Sequence, residues 1–287
     1  MTAAIIDGRK QAQVLLDNVA SVLGHRSPAP GLAVVMAGDD PASHIYVRNK
    51  IRTAQKLGVR GETVCLPADV NEAELLAVIA ALNERDDIDG ILVQLPLPAH
   101  IDNLRVMSAI DPAKDVDGLH ALNAGRLLHG AEGLVPCTPL GCLRLIKSVA
   151  SDLTGRHAVV VGTSNIVGKP MAALLLEEHA TVTQTHVHTR DIACICREAD
   201  ILVSAVGKPG LVRGDWIKPQ AIVIDVGTTR VAKPDGGHEV RGDVVFEEAV
   251  QVAGAITPVP RGVGPMTIAC LMENTVKAAR ARARGLQ

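Results

Sequence analysis

Short apolar runs rich in Val and Ile recur along the chain at 32–37, 90–95, 158–161, 201–206 and 222–226, with weaker ones at 63–66 and 181–187. Runs of this length, bounded by Gly, Pro and Asp, read as strands buried on both faces. Between them, apolar residues return at three- and four-residue spacing over 8–23, 41–57, 71–82, 139–150, 168–178, 190–199 and 265–280. That is the period of helices with one buried side. The alternation predicts an α/β fold of mostly parallel sheets with helices on their faces. The stretch 111–139, dense in Gly, Pro and Asp, separates two strand–helix series, and the loop 258–265 marks a second boundary. If the last helix packs back on the first lobe, the central lobe is an insertion.

Composition narrows the classes. Hydrophobic residues make up 47% and charged residues 21% of 287, which excludes a disordered or fibrous chain and suits about two domains with a cleft. A net charge of −2 with one Phe, one Tyr and one Trp leaves no basic stripe and no stacking platforms, so nucleic acid is not an expected partner. The N-terminus lacks a basic region followed by an apolar one, and no run reaches the eighteen or so apolar residues of a membrane span. The expectation is a cytoplasmic protein with no membrane partner. The six cysteines are scattered, without C-x-x-C pairs or His at zinc spacing, so neither a metal site nor a disulfide framework is expected.

The run 158–161 leads into Gly162-Thr163-Ser164-Asn165-Ile166-Val167-Gly168, where a helix starts. Strand, Gly-bearing turn and helix start aim backbone N–H groups and the positive helix end at one point, where a pyrophosphate fits. The spacing differs from G-x-G-x-x-G. A Walker loop is excluded, because five residues separate Gly162 from Gly168 and Lys169 precedes Pro170. An ordinary βα turn has the same pattern. Where NAD-binding folds carry an acid for the ribose 2′-hydroxyl, this chain has Thr185-His186-Val187-His188-Thr189-Arg190, with no acid before Asp191. The missing acid favours NADP over NAD, with Arg190, His186 or His188 as the attracting group. For the histidines, a solvated loop is an equal alternative.

After the run 32–37 comes Gly38-Asp39-Asp40-Pro41-Ala42-Ser43, in which Asp40 suits a helix N-cap and Pro41 a first turn. Ser43, Tyr46 and Lys50 then line one face of the helix, beside a stripe of Val47, Ile51 and Ala54. A lysine desolvated in a cleft has a lowered pKa and exchanges protons near neutrality, although most single lysines are solvated surface groups. Gln94 falls at the end of a buried strand, where parallel sheets form ligand crevices. Asp115 and Asp117 of Lys114-Asp115-Val116-Asp117-Gly118 lie in the boundary region.

Taken together these segments, with Pro136-Cys137-Thr138-Pro139, Gly207-Lys208-Pro209, Ile224-Asp225-Val226-Gly227 and Gly264-Pro265-Met266-Thr267, resemble the bifunctional methylenetetrahydrofolate dehydrogenase/methenyltetrahydrofolate cyclohydrolase family over nearly the whole chain. The resemblance implies a folate-binding domain of 1–120 and 258–287 and an inserted Rossmann-like domain of 121–257. It also implies NADP as cofactor, a tetrahydrofolate derivative as substrate, and a homodimer. It makes Lys50 catalytic, Gln94 its partner, Tyr46 the stacking group and Asp117 the pterin ligand. Ser43, Pro260, Gly262 and Val263 join them on the folate. Gly162, Thr163, Ser164, Ile166, Val167, Gly168, His186, Val187, Arg190, Val206, Gly207 and Thr228 are implied to hold the dinucleotide.

The chain departs from the family pattern at Thr163, often Arg; at Val187-His188, often Ser and a basic residue; and at Thr228-Thr229, usually Ile-Asn. Arg261 stands where a second glycine is common, and either meets the glutamate tail of folate or points to solvent. Two other readings stand beside this one: a two-lobe shikimate-type dehydrogenase, and a non-enzymatic folate- or nucleotide-binding regulator.

Overall fold

The computed structural model describes residues 2–24, 28–232 and 236–285. In chain order its elements are β1 (Ala4–Ile5), α1 (Gly8–Leu23), β2 (Gly31–Ala37), α2 (Pro41–Lys56), β3 (Arg60–Leu66), α3 (Glu72–Glu84), β4 (Gly90–Val93), α4 (Asn103–Ala109), α5 (Ala121–Leu128) and α6 (Cys137–Lys147). There follow β5 (His157–Val161), α7 (Gly168–Glu177), β6 (Thr181–Thr185), α8 (Ile192–Cys196), β7 (Ile201–Ser204), β8 (Ile222–Asp225), β9 (Thr229–Ala232), β10 (His238–Arg241), α9 (Phe246–Ala249), β11 (Ala255–Ile256) and α10 (Val263–Ala283). They form two units, one of Met1–Gln13 with Thr138–Thr267, the other of Val14–Cys137 with Ile268–Gln287. Among the described residues no helix is long and apolar enough to cross a membrane.

In the unit holding Val14–Cys137, β2 pairs in parallel with β3 on one side and β4 on the other. All seven residues of β2 are buried, as a strand covered on both faces requires. Val35, Ile79, Leu82, Ile91 and Val106 pack into one core that joins this sheet to α3 and α4. Each such side chain contributes about 1.5–3 kcal/mol when fully removed from water. A parallel bridge from Ile91 to Asp115 lays the segment around Asp115 beside β4.

The other unit carries a sheet in the order β1-β11-β8-β7-β5-β6, with every pairing parallel. Beyond β5 the chain builds outward to β6 on one side, then returns to β7 on the other. The carboxyl ends of β5 and β7 therefore flank a topological switch point, where open α/β sheets bind ligands. The ribbon β9–β10 is antiparallel.

The unit boundaries differ from the expected 1–120/121–257/258–287 division. Ala4 and Ile5 pair with Ala255 and Ile256, which draws the N-terminus into the six-stranded sheet. A two-residue strand carries no periodic signal, and its partner is some 250 residues away. Residues 121–137 join the other unit, because Asn123 donates to Pro112 O and Asp115 Oδ2 and Asn274 donates to Val135 O. Four strands also end earlier than their apolar runs, β4 at Val93, β6 at Thr185, β7 at Ser204 and β8 at Asp225. β4 stops at Val93, since Pro96 and Pro98 offer no N–H to a ladder. β6 stops at Thr185, where Thr189 N folds back onto His186 O.

Candidate active site

α2 begins as its sequence dictates. Asp40 Oδ2 accepts from Ser43 N at 2.9 Å and from Ser43 Oγ at 2.8 Å, so Ser43 closes the helix cap. One turn on, Tyr46 is 39% exposed, and a further turn brings Lys50, only 7% exposed. Lys50 Nζ donates to Gln94 Oε1 at 2.9 Å. Gln94 is anchored at both ends: its N–H continues the sheet to Val35 O at 2.8 Å, and its Nε2 donates to Leu95 O at 2.7 Å. The second bond fixes the amide so that its oxygen faces Lys50. Burial lowers the Lys50 pKa, and the charge of Asp117 opposes that shift in part. An amine with an amide for a partner and a carboxylate in range can gain and lose a proton without leaving its place.

The three charged residues of Lys114-Asp115-Val116-Asp117-Gly118 have separate duties. Lys114 Nζ donates to the carbonyls of Leu82, Asn83 and Arg85, satisfying the C-terminal end of α3. Asp115, buried and with its pKa raised by that burial, accepts from Leu119 N, His120 N and Asn123 Nδ2. That leaves Asp117, half-buried, as the carboxylate interacting with Lys50.

Two neighbours went unassigned in the sequence. Cys137 is fully buried, donates to Val116 O at 3.2 Å, and interacts with both Asp117 and Lys50. Burial pushes its thiol pKa well up, so it stands as a neutral thiol. Asn274 donates to Val116 O and Val135 O at 2.9 Å each, pinning the segment that carries Asp117. Nothing in the spacing of Cys137 marks it. An asparagine inside the apolar stretch of α10 was the available signal for Asn274.

The residues expected on the dinucleotide all lie in the six-stranded unit, at the carboxyl ends of β5, β6, β7 and β8. Gly162 has φ +125°, and a Cβ there would stand 2.4 Å from Ala205 O; one on Gly168 would stand 2.2 Å from Gly162 O. Both glycines are thus required for the turn to close on itself. Ser164 Oγ accepts from Val167 N and Gly168 N at the start of α7. Thr163, Ser164 and Ile166 are exposed, and Val167 is half-buried.

His186, Val187 and Arg190 are exposed at the end of β6, and His186 Nδ1 accepts from His188 N. Asp191, the first acid beyond β6, accepts from Cys194 N as the cap of α8. Val206 and Gly207 follow β7, and Thr228, exposed, follows β8. Pro260, Gly262 and Val263 fall in this same unit at the start of α10. Pro260 is exposed, whereas Gly262 and Val263 are buried. Arg261 has φ +89°, a backbone region that glycine enters freely and other residues at a cost.

Comparison with known proteins divides the chain in two as well, at one point between residues 117 and 136. Residues 6–117 match the tetrahydrofolate dehydrogenase/cyclohydrolase catalytic domain, and residues 136–283 match the NAD(P)-binding domain of the same family. The bifunctional protein FolD 1 of Pseudomonas putida is 57% identical over 289 residues, covering 99% of each chain. The bifunctional FolD methylenetetrahydrofolate dehydrogenase/cyclohydrolase of Campylobacter jejuni superposes with a TM-score of 0.92 at 43% identity, over 98% of this chain and 99% of that one. The Trypanosoma brucei FolD enzyme, solved with NADP and an inhibitor, gives 0.94 at 41% identity over 99% of each. With both domains matched in order and the full length shared with these relatives, the chain belongs to the tetrahydrofolate dehydrogenase/cyclohydrolase family.

Proposed function

We propose that this chain is a bifunctional folate enzyme of one-carbon metabolism. It oxidises 5,10-methylenetetrahydrofolate to the 5,10-methenyl form with NADP, then hydrolyses that product to 10-formyltetrahydrofolate. The observation that carries the reading is Lys50: buried, lowered in pKa, and bonded to a Gln94 amide that is itself held by Leu95.

In this reading the pterin stacks on Tyr46 and its polar edge hydrogen-bonds Asp117, so the folate carbon is oriented before reaction. NADP, held by residues at the ends of β5 to β8, would supply the hydride acceptor for the oxidation. For hydrolysis, water attacks the methenyl carbon and neutral Lys50 takes its proton. Lys50 then returns the proton to the folate nitrogen as the carbon–nitrogen bond breaks. The hydroxyl left on that carbon gives up its own proton to solvent as the carbonyl forms, leaving the formyl group on the other nitrogen. Gln94 keeps the amine aimed through both forms. Cys137, a neutral thiol, adds no charge that would hold Lys50 protonated.

The turn from Gly162 to Gly168 suits a dinucleotide phosphate, since two glycines bring it against neighbouring backbone and its outer residues are exposed. NADP is favoured over NAD because the acid beyond β6, Asp191, is engaged as a helix cap, while Arg190 is exposed nearby in sequence. Residues at the ends of β5 to β8, Gly162, Thr163, Ser164, His186, Arg190, Val206, Gly207 and Thr228 among them, would hold it. Pro260, Gly262 and Val263 are folate contacts on the family resemblance alone; they lie in the six-stranded unit, Pro260 exposed and the other two buried. A homodimer in the cytoplasm belongs to the same reading, on the family resemblance, and sedimentation of the purified chain tests the dimer.

Family membership and the Lys50–Gln94 bond favour an enzyme over a binding regulator or a shikimate-type dehydrogenase. Side-by-side kinetics with NADP and NAD on methylenetetrahydrofolate test activity, substrate and cofactor together. Catalytic efficiency with NAD equal to or above that with NADP overturns the cofactor preference; no turnover with either overturns the function.

A further inference from the structure

Two carboxylates in the six-stranded unit, both buried and both outside the chemistry above, tie three loops together. Asp225 ends β8 and is 4% exposed; Asp243 follows β10 and is fully buried. Asp225 Oδ1 accepts from Gly227 N and Asp243 N at 2.9 Å each, and Oδ2 accepts from Val244 N at 3.0 Å. Asp243 Oδ2 in turn accepts from Val206 N at 2.8 Å, Gly207 N at 3.3 Å and Ser204 Oγ at 3.2 Å. The connection runs from the loop after β8, through Asp225, to the backbone of Asp243, and from its carboxylate to the turn after β7. Among the described residues no basic side chain bonds to either acid, so neither serves there as half of an ion pair.

The packing around the pair is close. A Cβ on Gly242 would lie 1.9 Å from Asp225 Oδ2, and one on Gly227 would lie 2.4 Å from Asp243 Oδ1. Burying two carboxylates side by side is costly, and burial with the Asp243 charge pushes the Asp225 pKa up to about 7. A fold that needed only to close these loops would do so more cheaply with neutral groups.

The turn itself explains what the arrangement achieves. With the N–H groups of Val206 and Gly207 drawn inward to Asp243, the Val206 side chain is left 39% exposed. It stands beside Gly162, whose added Cβ would lie 3.6 Å from Val206 Cγ1 and 2.4 Å from Ala205 O. Thr229 Oγ1 holds the other side of the turn by donating to Gly207 O at 3.2 Å. We infer that Asp243, braced by Asp225, is a positioning residue for the dinucleotide. Its carboxylate sets the turn after β7 so that Val206 forms an apolar wall beside the Gly162 turn at the switch point. This rests on the dinucleotide reading given above.

Titration of the full-length protein with NADPH, followed by nucleotide fluorescence, tests it. Asp243→Ala is expected to raise the NADPH dissociation constant at least tenfold and to raise KM for NADP more than it lowers kcat. Asp243→Asn keeps an oxygen facing the three donors and places its NH2 where Oδ1 has no partner among the described residues. It is expected to restore affinity to within about threefold of the wild type. A purely structural carboxylate would lower the melting temperature and leave the affinity of the folded molecules unchanged. Val206→Ala, at an exposed side chain, tests the wall without touching the acids and is expected to weaken NADPH threefold or more. An affinity within twofold of wild type in folded Asp243→Ala overturns the positioning role. If that variant does not fold, unchanged affinity in Val206→Ala does so. Failure of the wild type to bind NADPH would overturn the dinucleotide reading instead.

Discussion

Replacing Gln94 by glutamate changes one neutral atom pair into a charge beside Lys50 and almost nothing else in shape. In the native site Gln94 Oε1 accepts from Lys50 Nζ at 2.9 Å, and the Lys50 pKa is lowered because burial outweighs the opposing charge of Asp117. A carboxylate in place of the amide gives the ammonium form a partner. At an effective dielectric of about 20, opposite unit charges about 4 Å apart attract by about 4 kcal/mol. Desolvating the new carboxylate takes back part of that, and its second oxygen would face Leu95 O, which now accepts from Nε2. If between half and all of the attraction survives, about 2–4 kcal/mol favours protonated Lys50, which removes the base for water. Gln94→Glu should therefore slow methenyl hydrolysis at neutral pH by about thirtyfold to a thousandfold. The rate should recover in part as pH rises and the ammonium is titrated, a signature that lost packing does not share. The assay follows methenyl decay across a pH series, with circular dichroism to establish the fold. Wild-type hydrolysis at neutral pH, or a loss that is the same at every pH, would refute the proton role of Lys50.

Lys50→Met keeps the stem but loses the amine, and should reduce hydrolysis on the order of a hundredfold or more while NADPH formation from methylenetetrahydrofolate falls less; undiminished hydrolysis removes Lys50 from the mechanism. Lys114→Met deprives three carbonyls at the end of α3 of their donor and should lower stability by about 1–3 kcal/mol in denaturant titrations, and an unchanged midpoint would mean that water replaces the ammonium. Asp225 ionises near 3.8 when unfolded and at about 7 when folded. Between those values the folded state alone holds the proton, so this group's contribution to stability declines as pH rises from 3.8 to about 7 and is level above. Asp225→Asn should remove that decline, so the melting temperature of the variant relative to wild type should climb over the same interval; a constant difference would show that Asp225 does not titrate there.

Much of the machinery could be read along the chain because it is local. The Asp40–Ser43 cap, the spacing of Tyr46 and Lys50 on one helix, and the Gly162–Gly168 turn each depend on residues within a few positions of one another. Strand and helix periods extend the same logic, since the burial that produces them acts on every turn and every second residue. What crosses long stretches of sequence leaves no such period. In the motif 114–118, the duty of Lys114 at the end of α3 and the approach of Asp117 to Lys50 were not legible, because both depend on residues far away in the chain.

The sequence by itself determined the alternating α/β order and the family, and it singled out Lys50 and Gln94, which the fold brings to 2.9 Å of each other. Only the tertiary structure decided that the first strand joins the far sheet, that Cys137 interacts with Lys50 and Asp117, and that Asp243 holds the Val206 turn. The physical reason is that helix caps and turn glycines satisfy backbone groups nearby, whereas burial joins whatever distant residues share a low-dielectric volume. There the lowered Lys50 pKa and the raised Asp225 pKa arise from neighbours and solvent exclusion that no spacing records.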